Sequence, residues 1–257
     1  MALQVADAIG DGARRAFTYS GGVLMLLMFG YQVLFTGATN TITASFLPAA
    51  AQGAADRGFT LPISVGAAAA LAVAGLVAGS VLFVVSARAL TRPQSELGAL
   101  PSEPFTRRIG RATLSALGAN LLVGIAVVVG FVFLIVPGVF LALSFLFIVF
   151  AIGVEDERAV DAMRRSWALA SGDRWPLLGI LIVVVVITSV GGGLGGALST
   201  VSPAAGQVAS IALSSVLTVV GYGILADAYL QLGEEKPTGP DPDRTAGADA
   251  REGDPLA

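Results

Sequence analysis

The chain has 257 residues, 55% of them hydrophobic and only 13% charged, against about a quarter charged in ordinary soluble domains. It contains no cysteine and no histidine, which excludes disulfides, thiol nucleophiles, Cys or His metal sites and the Ser-His-Asp triad. The formal net charge of −3 is unevenly placed: residues 233–257 carry −4 and the rest of the chain +1, so no basic surface for nucleic acid is expected.

Residues 3–17 read as an amphipathic surface helix, with Val5, Ile9, Ala13 and Ala16 on one face and Asp7, Asp11 and Arg14 on the other. Apolar blocks of about 20 residues, the length that crosses a bilayer, follow. The first covers residues 19–38. A cleaved signal peptide competes for it, but Asp7 and Asp11 would fall in the n-region and no small-residue cleavage site follows closely. The second covers residues 61–86, where Gly66, Ala70, Ala74 and Ala78 form a small-residue stripe, with Gly75 and Gly79 beside it, suited to packing within the chain, with homodimerisation as the alternative. Residues 102–111 read as a second surface helix, carrying the basic pair Arg107 and Arg108.

The third span is residues 113–135. Pro137 and Gly138 then mark a hairpin turn, because proline lacks a backbone donor and glycine permits a tight reversal. As one helix, residues 113–154 would be about 60 Å long, twice the hydrocarbon thickness. The chain is therefore expected to fold back into a short fourth span, residues 139–154. Residues 156–171 form the third surface helix. Val160, Met163, Trp167 and Ala170 share one face; Glu157, Arg158, Asp161, Arg164 and Arg165 share the other. Asp161 and Arg165 are spaced to pair. Gly172 is a C-terminal stop, and Asp173 a cap for the fifth span, residues 177–198, with Pro176 in its first turn. The sixth span is residues 208–231. Residues 233–257 read as a disordered acidic cytoplasmic tail.

The fold class expected is all-α integral membrane: six transmembrane helices as three hairpins, each preceded by a cytoplasmic-side amphipathic interfacial helix. Asp11-x-x-Arg14-Arg15-x-Phe17 parallels Asp161-x-x-Arg164-Arg165-x-Trp167, and Arg107–Arg108 also precedes a span. This suggests a threefold repeat; the common demands of the inner leaflet are the alternative. With six spans, fourteen of the fifteen basic residues fall on one side and Arg57 alone on the other. The positive-inside rule then places both termini in the cytoplasm, in a cell membrane. Scarce lysine and an acidic tail suit a prokaryote with a GC-rich genome and leave a halophilic archaeon open.

Arg14, Arg15, Arg107, Arg108, Arg164 and Arg165, with Trp167 and Trp175, are candidate anionic-headgroup contacts or surface anchors. Ordinary topology determinants would look the same. Asp227 is the one acid within a span, and intramembrane carboxylates raise a functional question. Three readings stand: an interfacial carboxylate near the helix end, proton or ion coupling, and a structural pair with an arginine of a surface helix. Asn120, the other candidate intramembrane polar site, and Gln32 fit interhelical hydrogen bonds. No catalytic, cofactor or metal site is expected.

Residues 135–175 carry Pro137-Gly138, a short span, the acids Glu155 and Asp156, then Arg165-Ser166-Trp167-x-Leu169-x-x-Gly172-x-x-Trp175. This stretch resembles the membrane domain of glycerophosphoryl diester phosphodiesterases and its uncharacterised bacterial and archaeal relatives. In those enzymes the membrane part accompanies a soluble catalytic barrel, whose catalytic histidines a chain without histidine cannot supply. The resemblance implies a stand-alone membrane domain and assigns no catalytic residue here. The expected function is a non-enzymatic membrane module that organises lipids or a membrane complex, with membrane lipids, a membrane-protein partner or a second copy as partners. A small-solute or lipid transporter is the alternative, and a membrane-embedded lipid enzyme the third reading.

Overall fold

The computed structural model describes residues 3–47, 59–99, 101–133, 135–198 and 202–235, which are helical throughout apart from short connections, with no strand among them. Five stretches are long and apolar enough to cross a membrane: Tyr19–Phe46, Val65–Leu90, Ile109–Val132, Val136–Val154 and Pro203–Glu235. The count rises to six if Ala159–Ala170 and Arg174–Val190, two helices bent by 105°, are taken together as one span. The protein is a multi-pass membrane protein.

The first helix, α1 (Val5–Ala16), leads into α2 (Tyr19–Phe46), whose first turn is capped by the Thr18 hydroxyl accepting the Gly21 N–H at 3.3 Å. The span predicted to end at residue 38 runs on to Phe46. Thr39, Thr41 and Thr43 each donate to a carbonyl one turn back, which shields their hydroxyls and lets the helix continue. Ser64 caps α3 (Val65–Leu90) in the same way as Thr18. The predicted stripe of Gly66, Ala70, Ala74 and Ala78 faces outward. Close packing on α2 is made by the two glycines predicted beside it, Gly75 and Gly79, where a Cβ would lie 2.5 Å from the Phe35 ring and from the Tyr31 hydroxyl.

The surface helix expected over residues 102–111 is reduced to one turn, α4 (Glu103–Thr106). Arg108 takes a positive φ of 45°, and α5 (Ile109–Phe133) begins at the next residue. Arg111 therefore belongs to the spanning helix. Pro137 and Gly138, expected to mark the turn, lie within α6 (Ile135–Ser144) instead. Proline is tolerated there because N–H groups of a helix's first turn have no intrahelical acceptor. Gly138 has a packing role, since a Cβ on Gly130 would lie 3.0 Å from its Cα.

The fourth span is broken at residues 145–147, and α7 (Ile148–Val154) completes it. After α8 (Ala159–Ala170), Gly172 adopts φ 96° and stops the helix as predicted. The next helix, α9 (Arg174–Leu198), starts directly after Asp173 and carries Pro176 in its first turn. The last, α10 (Pro203–Glu235), has 33 residues and continues past the residue where the tail was expected to begin. Residues 236–257, the rest of that tail, lie outside the described residues, as does Arg57.

Successive helices pack pairwise, α2 on α3, α5 on α6 and α9 on α10, and α10 also meets α1, α2, α3 and α8. An aromatic cluster joins α3, α7 and α10: Phe83 stacks on Tyr222, and Phe150 on Tyr229, with centroids 5.5 and 5.4 Å apart. Every charged side chain among the described residues lies at one end, where α2, α5 and α9 begin and α3, α7 and α10 end. The opposite end is tied by neutral groups. There Gln207 accepts the Phe59 N–H at 2.7 Å and an Asn40 amide N–H at 3.3 Å.

Candidate functional site

The charged end is organised around three arginines that point inward. Arg15, on α1, donates through Nε to Asp227 at 3.2 Å and through Nη1 to the carbonyls of Leu90 and Arg92 at 3.2 and 2.8 Å. Helix C-termini leave carbonyls unpaired and carry partial negative charge, so a guanidinium at the end of α3 answers both. Asp227 also accepts from Gln231 at 2.9 Å. Of the three readings of Asp227, the structure has the pair with a surface-helix arginine, and the two side chains are each 11% exposed.

Arg88, in the last turn of α3, is 5% exposed. Its guanidinium donates to the carbonyls of Gly153, Pro104 and Arg107 and to Asp156, at 2.7, 3.3, 2.6 and 3.1 Å. It thereby closes the end of α7 and holds the chain that breaks between α4 and α5. Arg107 joins this cluster from the surface, meeting Asp156 at 3.2 Å and the Val154 carbonyl at 2.9 Å. Asp156 adopts φ 55°, a left-handed conformation that aspartate tolerates better than most residues.

The third clamp is Arg165, whose Nε meets both oxygens of Glu155 at 3.0 and 3.1 Å. The Tyr229 hydroxyl donates to the same carboxylate at 2.5 Å. Asp161, predicted as the partner of Arg165, lines an open cleft instead. Next to Arg165, the buried Ser166 hydroxyl accepts the N–H of Phe147 at 3.1 Å and donates to the carbonyl of Ser144 at 2.9 Å. It satisfies the backbone freed by the break between α6 and α7. Trp167 packs edge-on against Phe140, with centroids 5.5 Å apart. The Arg174 guanidinium lies over both rings, 4.4 and 5.4 Å from their centroids.

The other predicted site residues divide. Arg14 is exposed and bonded to Asp11 at 3.1 Å. Arg108 and Arg164 are exposed. Trp175, 84% exposed, projects from the start of α9. Arg15 and Arg165, placed among the headgroup candidates by sequence, turn into the protein, where Asp227 on α10 and Glu155 after α7 pair with them. Asn120 lies on the exposed face of α5, whereas Gln32 makes the expected interhelical bond, to Ser215 at 3.1 Å. The roles of Arg88 and Ser166 were not foreseen. The available signal was an arginine within an otherwise apolar span and a serine inside the Arg165–Trp167 motif.

An open cleft of about 840 Å³ separates the start of α5 from the start of α8, lined by Arg111, Leu114, Ser115 and residues 158–161. A second, of about 480 Å³, lies between Phe145, Val160, Met163, Arg164 and Trp167. Among the described residues no group of three or more acids is placed to hold a metal ion. The acids that are deeply placed, Asp227, Glu155 and Asp156, are engaged by arginines. The site as built locks α1, α4 and α8 onto the ends of the long helices and presents a mixed cationic and apolar rim.

No curated protein and no solved structure matches the chain. A family model does, over residues 3–232, and so takes in every helix from α1 to nearly the end of α10. The chain belongs to the family described as "Domain of unknown function (DUF7847)".

Proposed function

We propose that this protein is a non-enzymatic, six-span module of the cell membrane, with both termini cytoplasmic, that organises anionic lipids or a membrane complex through its charged end. The observation that carries the reading is the segregation of charge: all described charged side chains sit at one end of the helices, ringed by exposed Phe17, Tyr19, Trp167 and Trp175. Cations and amphipathic aromatics favour the headgroup level, and cations favour the cytoplasmic side. In this reading α2–α3, α5–α7 and α9–α10 are three hairpins, with α1, α4 and α8 as interfacial pieces ahead of them. The 105° bend between α8 and α9 supports it, as does the likeness of residues 135–175 to a membrane domain that accompanies, and is separate from, catalytic machinery. The middle copy of the repeat is the weakest, since α4 is a single turn.

A transporter is the second reading, favoured by the break at residues 145–147, because interrupted spans line the sites of many transporters. Reconstitution in liposomes separates the two. The module reading expects preferential immobilisation of spin-labelled anionic lipid over neutral lipid, with no solute flux and no lipid turnover. Solute flux abolished by Asp227→Asn would establish transport instead.

A further inference from the structure

We propose that the cleft between the starts of α5 and α8 binds the headgroup of a phosphodiester lipid bearing free hydroxyl groups, of the phosphatidylglycerol class. The proposal rests on the membrane orientation given above, which puts this cleft at headgroup depth. Its polar rim carries Arg111 and Arg158. Arg158 has no acid partner among the described residues, and Arg111 makes one long bond, 3.4 Å, to the Asp156 carbonyl. Both guanidiniums therefore keep most of their donors available, unlike the committed Arg15, Arg88 and Arg165.

Three further features choose the ligand. Arg158 occupies the N-cap position of α8 without a side-chain cap, so the N–H groups opening this twelve-residue helix are uncapped beside the two cations. Such groups favour an anion. Asp161 lines the same cleft, so its formal charge is +1 rather than +2. That balance fits a monoanionic phosphodiester and disfavours a dianionic phosphomonoester. The Asp161 carboxylate is an acceptor that a headgroup hydroxyl can fill. Below the rim the wall turns apolar: Leu114 is 72% exposed, Val160 is also exposed, and Leu121 continues the Leu114 face two turns down α5. Phosphate above and acyl chain below is the order in which a lipid presents its parts, whereas a free phosphate has no use for the lower wall.

The test uses the full-length protein in phosphatidylcholine nanodiscs doped with phosphatidylglycerol or phosphatidic acid, with retained lipid read by native mass spectrometry after detergent exchange. A single phosphatidylglycerol should be retained per chain in preference to phosphatidic acid, and excess inorganic phosphate should not displace it. Arg111→Gln and Arg158→Gln should each weaken retention by about tenfold, the scale of one charge-assisted hydrogen bond. Arg92→Gln, outside this cleft and held by Glu96 and the Ala99 carbonyl, should leave it unchanged. Asp161→Asn should bring phosphatidic acid up to the level of phosphatidylglycerol, a change of preference that misfolding would not produce. Retention unaffected by the two arginines, or a preference for phosphatidic acid in the parent protein, overturns the proposal. Should lipid retention fail while cysteine labels at the two ends still react from opposite sides, the site falls and the orientation stands. Labels on one side would bring down both.

Discussion

Ser166 shows how one hydroxyl can decide a helix break. The turn at residues 145–147 frees the Phe147 N–H and the Ser144 carbonyl inside the protein, and Ser166 reaches both. Removing that hydroxyl leaves a buried donor and a buried acceptor unsatisfied, at a cost of about 1–3 kcal/mol. Ser166→Ala should therefore lower the Tm of the detergent-solubilised protein while circular dichroism reports the same helix content. An unchanged Tm would mean that water takes over the two backbone groups. The arginines follow a related logic. Arg15, Arg88 and Arg165 are tolerable in a buried setting because each meets a carboxylate, and Arg15 and Arg88 also meet carbonyls at helix ends. Breaking such a pair from one side costs on the order of 3–5 kcal/mol, because the remaining charge stays buried.

At the scale of elements, α1 is attached more closely than an interfacial helix requires. Its buried face is Ala8, Gly12, Arg15 and Ala16, with Val5, Ile9 and Ala13 beside it. A Cβ on Gly12 would come within 2.3 Å of the Ile224 Cα, so the two backbones touch. Nothing lies within 4 Å of a Cβ placed on Gly10. The same substitution should thus act in opposite directions within one helix. Gly10→Ala should stabilise α1 by roughly 0.5–1 kcal/mol through backbone entropy. Gly12→Ala should push α1 off α10, at a cost of about 1–3 kcal/mol or more. Hydrogen exchange across residues 5–16 reads both, slower in the first and faster in the second. The α8 helix divides its surface differently: Ala162, Ser166 and Leu169 are buried in the protein, while Val160 and Trp167 remain exposed. An apolar stripe left partly exposed suits a helix bordered by acyl chains.

For the whole molecule, the gathering of the described charged side chains at one end makes orientation a measurable property. The chain has no cysteine, so single introduced cysteines report cleanly. Ser95→Cys sits in the charged end and Ser45→Cys in the opposite one, and both positions are exposed. In right-side-out vesicles an impermeant maleimide should label Ser45→Cys directly and Ser95→Cys only after permeabilisation. The reverse order would invert the topology, and labelling of both from one side would remove the spanning arrangement altogether.

Much of this plan was legible in the linear order of residues, because the bilayer imposes a one-dimensional rule: apolar runs of about 20 residues with charges between them. The long apolar helices, the gathering of the described arginines at one end and the stop at Gly172 follow from local composition. Helix ends were less legible, since Thr39, Thr41 and Thr43 hide their hydroxyls within α2, and Arg88 draws carbonyls out of what would have been a longer α4. The direction each arginine faces was not legible at all. Arg14 and Arg15 are neighbours of the same type, yet one stays in the open and the other meets an aspartate 212 positions away. Sequence alone determined that this protein crosses a membrane and which end carries its charge, because hydrophobicity and charge act locally along the chain. Only the tertiary structure decided which charges are locked inside and which are left for a ligand, because a buried ion pair exists only where two distant segments bring both partners together.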